Sequence, residues 1–130
     1  MSDDKQDLLD RIDQDRDLLI NFLSSFVQAK SPNPPGDCLE AAAHITGFLD
    51  GEGLPYEIIS AHPIMPNVVG HYDCGSEGKH LVLNGHIDCF PVNEAETWTQ
   101  PPWSGAIADG KIWGRGAADM KCGTTASIFT

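Results

Sequence analysis

Two short blocks hold the residues best suited to chemistry. The first is Leu81-Val82-Leu83-Asn84-Gly85-His86-Ile87-Asp88, where an apolar run meets a glycine and then presents a histidine and an aspartate two residues apart. In an extended chain alternate side chains share a side, so His86 and Asp88 face the same way. An imidazole can bind zinc through one nitrogen while a neighbouring carboxylate orients it or accepts a proton. In open α/β sheets ligand sites gather beyond the carboxyl ends of strands, which suits this position. A His-x-Asp pair alone serves equally well as an incidental structural pair. The second block runs from Gly110 to Gly123, where Asp119 follows Gly114, Gly116, Ala117 and Ala118. A carboxylate there can project from a helix start and has two oxygens with which to bridge two cations. Read by itself, the block is also satisfied by Asp119 as a helix cap with the glycines in turns.

The elements that must position these residues follow from periodicity. From about Lys5 to Ala29, Leu8, Ile12, Leu19, Phe22, Leu23, Phe26 and Val27 recur at helical spacing and predict one amphipathic helix. The run Ser31-Pro32-Asn33-Pro34-Pro35-Gly36 ends it. Asp37 is placed to cap a second helix with a stripe of Leu39, Ala42, Ala43, Ile45, Thr46, Phe48 and Leu49, closed by Gly51 and Gly53. Strand character follows at Tyr56 to Ser60, Asn67 to Tyr72 and His80 to Asn84; the apolar Leu81-Val82-Leu83 predicts a central strand covered on both faces. Pro91 to Gly110 reads as a long ordered loop anchored by Trp98 and Trp103, Lys111-Ile112-Trp113 as a short strand, and Asp119 onward as a helix with no closing residue before Thr130. The expected fold class is α/β, with helices packed on a mixed sheet and residues 1–130 forming one unit.

Composition narrows the partners. The 130 residues carry a formal net charge of -11, which repels nucleic acid and anionic membranes. Much of that acidity lies in Asp3, Asp4, Asp7, Asp10, Asp13, Asp15 and Asp17, read as a solvated helix face. No segment approaches the roughly 18 apolar residues of a membrane span, and no basic stretch leads into an apolar run, so the expected compartment is the cytoplasm. Cys38, Cys74, Cys89 and Cys122 form no Cys-x-x-Cys pair, and four reduced, mostly buried thiols are expected. Cys89 suits simple packing, with a soft metal ligand as the alternative. Arg115 suits either a salt bridge or contact with substrate. His44, His62, His71 and His80 stand in no motif and read as surface or core residues.

Taken in order, four blocks resemble the M20 metallopeptidase family of acetylornithine deacetylases, succinyl-diaminopimelate desuccinylases, aminoacylases and dipeptidases. They are Ser31 to Gly36, Gly85-His86-Ile87-Asp88 with Pro91, Trp98-Thr99-Gln100-Pro101-Pro102-Trp103-Ser104-Gly105, and Gly110 to Gly123. The first and last lean toward the deacetylase and desuccinylase branch. The resemblance implies that His86 is a ligand of one zinc, that Asp119 bridges two zincs, and that Asp88 is the catalytic-site aspartate supporting His86. It further implies a partial zinc-peptidase-like catalytic domain, two Zn2+ ions with Co2+ or Mn2+ as alternative occupants, an N-acyl amino acid or short peptide as substrate, and a homodimer for the full-length form. M20 members carry a Glu-Glu pair, further ligands and a dimerisation domain well beyond the bridging aspartate, so the chain is expected to be truncated before that domain and inactive alone. The competing expectation is a non-catalytic or degenerate fragment that binds metal weakly or pairs with a full-length relative. With its sheet unfinished, the chain is also expected to expose apolar edges and aggregate.

Overall fold

The computed structural model describes residues 3–93 and 97–130. The region read as a single amino-terminal helix is two: α1, Asp3–Gln14, and α2, Arg16–Gln28, with Asp15 turned out of helical geometry between them. The break falls in Asp13-Gln14-Asp15-Arg16-Asp17, where aspartates are poor helix formers and no apolar residue anchors the turn. Leu8 (60% exposed) and Ile12 (49%) therefore lie outside the core, and α1 is held locally by pairs such as Gln6 Nε2 to Asp10 Oδ1 (2.8 Å) and Arg16 to Asp13 (2.7 Å).

Helix α3, Leu39–Glu52, begins where Asp37 accepts a hydrogen bond from the Leu39 amide (3.1 Å) and closes at Gly53, whose φ of 67° is the left-handed cap that glycine adopts freely. Gly51 lies within the helix. Ala41, Ala42, Ile45 and Leu49 are its buried face, while Leu39 and Ala43, expected in that stripe, are exposed. The core forms where α3 meets α2 through Phe22 and Phe26; the Phe22 ring makes edge contacts with Phe48 (5.1 Å) and Phe129 (5.5 Å). Phe129 follows the last helix, α4, Cys122–Ile128, and caps it.

The strands make two antiparallel pairs: β1 (Glu57–Ser60) with β2 (Pro66–Val69), and β3 (Ala106–Ala108) with β4 (Lys111–Trp113). The chain is thus of mixed α/β type, with two small hairpins among the described residues in place of the mixed sheet expected. The strand read at Asn67 to Tyr72 stops at Val69, and the loop read from Pro91 to Gly110 contains β3; residues 94–96 of that loop lie outside the described residues. The largest departure is at Leu81, Val82 and Leu83, which are 70%, 76% and 49% exposed and pair with no strand among the described residues. A strand is completed by its neighbours, and none lies beside this run. The chain beyond it is held, by a parallel bridge between Pro32 and Cys89 and by hydrogen bonds to the carbonyls of His86 and Ile87. No described helix is long and apolar enough to cross a membrane.

A titratable ring packs against the core. His44 lies flat on the Phe26 ring (5.4 Å, 15°) with Nε2 3.2 Å from the Phe22 carbonyl. Burial lowers its pKa, opposed by the Phe22 carbonyl and reinforced by the charge of Lys121. A folded-state pKa below the unfolded value of about 6.5 means that the unfolded chain takes up the proton first. The stabilisation is therefore complete above that pH and is lost as pH falls through the folded-state pKa. Urea midpoints compared at pH 7.5 and 5.5 are expected to drop on acidification, and His44→Phe, which keeps a ring in place, is expected to shrink the drop.

Candidate metal centre

The chain reverses sharply after β4. Gly116, at φ 77°, opens a π-type turn, Ala117–Lys121, that leads into α4; a Cβ on Gly116 would sit 3.0 Å from the Cys89 Cβ. Asp119 has extended rather than helical backbone angles (φ -125°, ψ 100°), and the peptide bond to Met120 is cis. It is neither the helix cap nor the first helical residue expected, since α4 begins at Cys122.

The turn is fastened by Lys121. This side chain is fully buried, with Nζ donating to the Phe26 carbonyl (2.7 Å) and the Ala29 carbonyl (2.6 Å) at the end of α2, and lying 4.7 Å from the Phe26 ring centre. Those carbonyls belong to the last turn of the helix, where no further amide is available and a cation is favoured. Burial draws the ammonium pKa down to about 8, against the opposing pull of Cys89, Cys38 and Glu40.

The other half of the site hangs on Ser31 to Asn33. Buried Ser31 donates from Oγ to the Ile87 carbonyl (2.7 Å), the Cys89 amide donates to the Ser31 carbonyl (2.9 Å), and the Asn33 amide donates to the Cys89 carbonyl (2.9 Å). From α4, Thr124 Oγ1 donates to the His86 carbonyl (3.1 Å). Gly85 is required at this approach, because a Cβ there would stand 2.7 Å from Thr124 Oγ1.

These supports bring His86, Asp88 and Asp119 together. His86 Nδ1 lies 2.9 Å from the Asp88 carbonyl oxygen and 3.1 Å from Asp88 Oδ1; Nε2 lies 3.1 Å from Asp119 Oδ1. Both neighbours of Nδ1 are acceptors, so Nδ1 carries the proton, and in the neutral ring the Nε2 lone pair points at a carboxylate oxygen. When Nε2 carries a proton it donates to Asp119 Oδ1, and when it does not, its lone pair is open to a metal ion. Burial lowers the His86 pKa, and the stronger opposing effects of the Asp88 carbonyl, Asp119 and the two negative charges raise it overall. Asn33, which was read as part of a helix-ending segment and of a block shared with M20 members but given no role, donates from Nδ2 to Asp88 Oδ2 (2.8 Å) and fixes the carboxylate from the far side. An asparagine between two prolines carries no signal for that role.

The donor chemistry fits zinc in part. A nitrogen and an oxygen 3.1 Å apart can both reach one ion at roughly 2.0–2.2 Å. Among the described residues, however, no group of three or more His, Cys, Asp or Glu side chains is arranged to hold a metal ion. Cys89 faces inward at 4% exposure and contacts Ser31. Cys38 is also buried, whereas Cys74 and Cys122 are exposed, so half rather than most of the four thiols lie in the interior. Arg115 lies over the Trp98 ring (4.9 Å), bordering a cleft that Asp119 also lines.

Comparison with known proteins defines the class. Residues 82–130 match peptidase family M20/M25/M40. The N-formyl-4-amino-5-aminomethyl-2-methylpyrimidine deformylase of Halalkalibacterium halodurans is 33% identical over 129 residues, which are 95% of this chain and 30% of that protein. The enzyme of the same name from Bacillus subtilis is 30% identical over 122 residues, 92% of this chain and 29% of its own. A succinyl-diaminopimelate desuccinylase of Cereibacter sphaeroides is 37% identical over 84 residues, 65% of this chain and 22% of its own. The chain belongs to the M20 family of amidohydrolases. It spans less than a third of the length of these relatives.

The Lys121 contacts generate a prediction. Lys121→Met keeps the apolar stem of the side chain, one atom shorter, but leaves the Phe26 and Ala29 carbonyls without their donor, a loss expected to be about 2 kcal/mol. Urea unfolding monitored by tryptophan fluorescence measures it, and an unchanged midpoint would show that the ammonium does not fasten the turn.

Proposed function

We propose that the chain carries part of the active site of a zinc-dependent hydrolase that cleaves the amide bond of N-acyl amines, including N-acyl amino acids and short peptides. The observation that carries this reading is the meeting of His86 Nε2 and Asp119 Oδ1, 33 positions apart in sequence, at 3.1 Å from each other. Zinc is the cation this pair suits, with Co2+ or Mn2+ as substitutes. His86 and Asp119 are its proposed ligands, with Asp119 shared between two ions in the whole enzyme. Bound zinc supplies Lewis acidity that polarises an amide carbonyl and lowers the pKa of water. Asp88 acts through His86: it holds the Nδ1 proton and is itself held by Asn33, so that Nε2 keeps its lone pair toward the metal position. The names of the relatives agree with acyl removal, formyl in two of them and succinyl in the third. The substrate is accordingly proposed to be a small N-acyl compound, and the full-length form a homodimer.

A second reading has its own support. Two donors are fewer than the three or four of a stable zinc site, which favours a chain that binds metal weakly without turning over substrate, alone or paired with a full-length relative.

Zinc titration and turnover of N-formyl and N-succinyl amines separate the two. On the hydrolase reading, the zinc-loaded whole enzyme that carries this segment releases amine, a chelator stops it, and His86→Ala abolishes both turnover and tight zinc binding. Asp88→Ala, which removes only the orienting partner, is expected to weaken zinc binding about 10–100-fold. Zinc binding that depends on His86 without any amine release supports the second reading. Undiminished turnover by His86→Ala removes the site assignment.

A further inference from the structure

The deep side of the candidate centre is occupied by its supports, but its open side is bordered by an aromatic residue that none of the roles above employs. Phe90 follows inward-facing Cys89 and is 75% exposed. In the extended run held by the Pro32–Cys89 bridge, alternate residues share a side, so Phe90 follows His86 and Asp88 on the same face. It lines a cleft of about 220 Å³ together with Trp98, Arg115 and Asp119. Arg115 is stacked over Trp98 at 4.9 Å, which gives that side of the cleft a flat, cationic surface. Gly114 and Gly116 also border the cleft and add no side chain to fill it.

We propose that this cleft is a stacking subsite for a flat aromatic or heteroaromatic ring carried by the substrate, with Phe90 as a specificity-determining residue. The inference rests on the amide-hydrolase reading and deepens it. A phenyl ring left in water forgoes the burial that normally places it in a core, and a ligand ring laid against it restores that burial in offset or edge geometry. Asp119 on the cleft wall puts such a ring within one substrate's reach of the metal position. The volume is below the roughly 300–1,000 Å³ of pockets that enclose drug-sized ligands, so the cleft suits one ring and a short linker rather than a folded peptide.

The test uses the zinc-loaded whole enzyme that carries this segment, with N-formylbenzylamine and N-formylbutylamine as substrates. The expected result is that kcat/KM favours the aromatic amide about tenfold or more, that Phe90→Ala lowers the aromatic-to-aliphatic ratio about tenfold, and that Phe90→Trp retains it. A ratio near one in the parent enzyme, or a ratio that Phe90→Ala leaves unchanged, overturns the subsite while leaving the hydrolase reading intact. If neither amide is hydrolysed, the hydrolase reading fails and binding decides the subsite. Tryptophan quenching by the two amides should then show the same preference and the same dependence on Phe90, and equal affinities overturn the proposal.

Discussion

A buried ammonium is the constraint on which this structure depends. Lys121 enters the region enclosed by α2, α3 and the π-type turn and neutralises the last carbonyls of α2, Phe26 and Ala29. Burying a charge is costly unless its donors are satisfied, and two short hydrogen bonds together with the Phe26 ring meet that need here. The geometry then leaves little freedom to Asp119, two residues earlier in the turn. Helix α2 thus serves two purposes: its apolar face packs against α3, and its carboxyl end anchors the turn that carries Asp119.

The candidate site is assembled mainly by backbone hydrogen bonding. Ser31, Asn33 and Thr124 each reach the 86–89 run at a carbonyl or an amide, so the position of His86 follows from main-chain geometry more than from side-chain packing. Around His86 the electrostatics run one way. Every partner of its two nitrogens is an oxygen acceptor, and no cationic side chain lies among those partners. A pair so arranged is prepared for a positive charge.

Much of this arrangement was legible in the residues. His86, Asp88 and Asp119 were singled out from spacing and resemblance, and the structure brings the three side chains to one place; helices on either side of the proline segment and the hairpin strand at Lys111–Trp113 follow their periodicity and turn residues. Other features depend on partners that sequence does not name. The apolar pattern of Leu81-Val82-Leu83 indicates a strand, yet pairing requires a neighbour, and the run lies exposed. The 5–29 helix breaks at Asp15 because periodicity registers the apolar positions but not the accumulated reluctance of aspartates to remain helical. Lys121 gave no sign of burial, since lysine is almost always a surface residue and its acceptors come from more than ninety positions away. Asn33 was hidden in the same way, with its partner Asp88 distant in sequence.

The distribution of the thiols has a practical consequence. Cys74 and Cys122 are open to solvent, whereas Cys89 is enclosed beside Ser31 in the hydrogen-bonded ladder that holds His86 and Asp88. A thiol reagent therefore meets two cysteines at once, and it meets Cys89 only when that ladder parts. The slow alkylation of Cys89, resolved from that of buried Cys38, is a clock for the site: its rate records how often the residues around His86 come undone, in a chain with no ligand bound and no reaction under way.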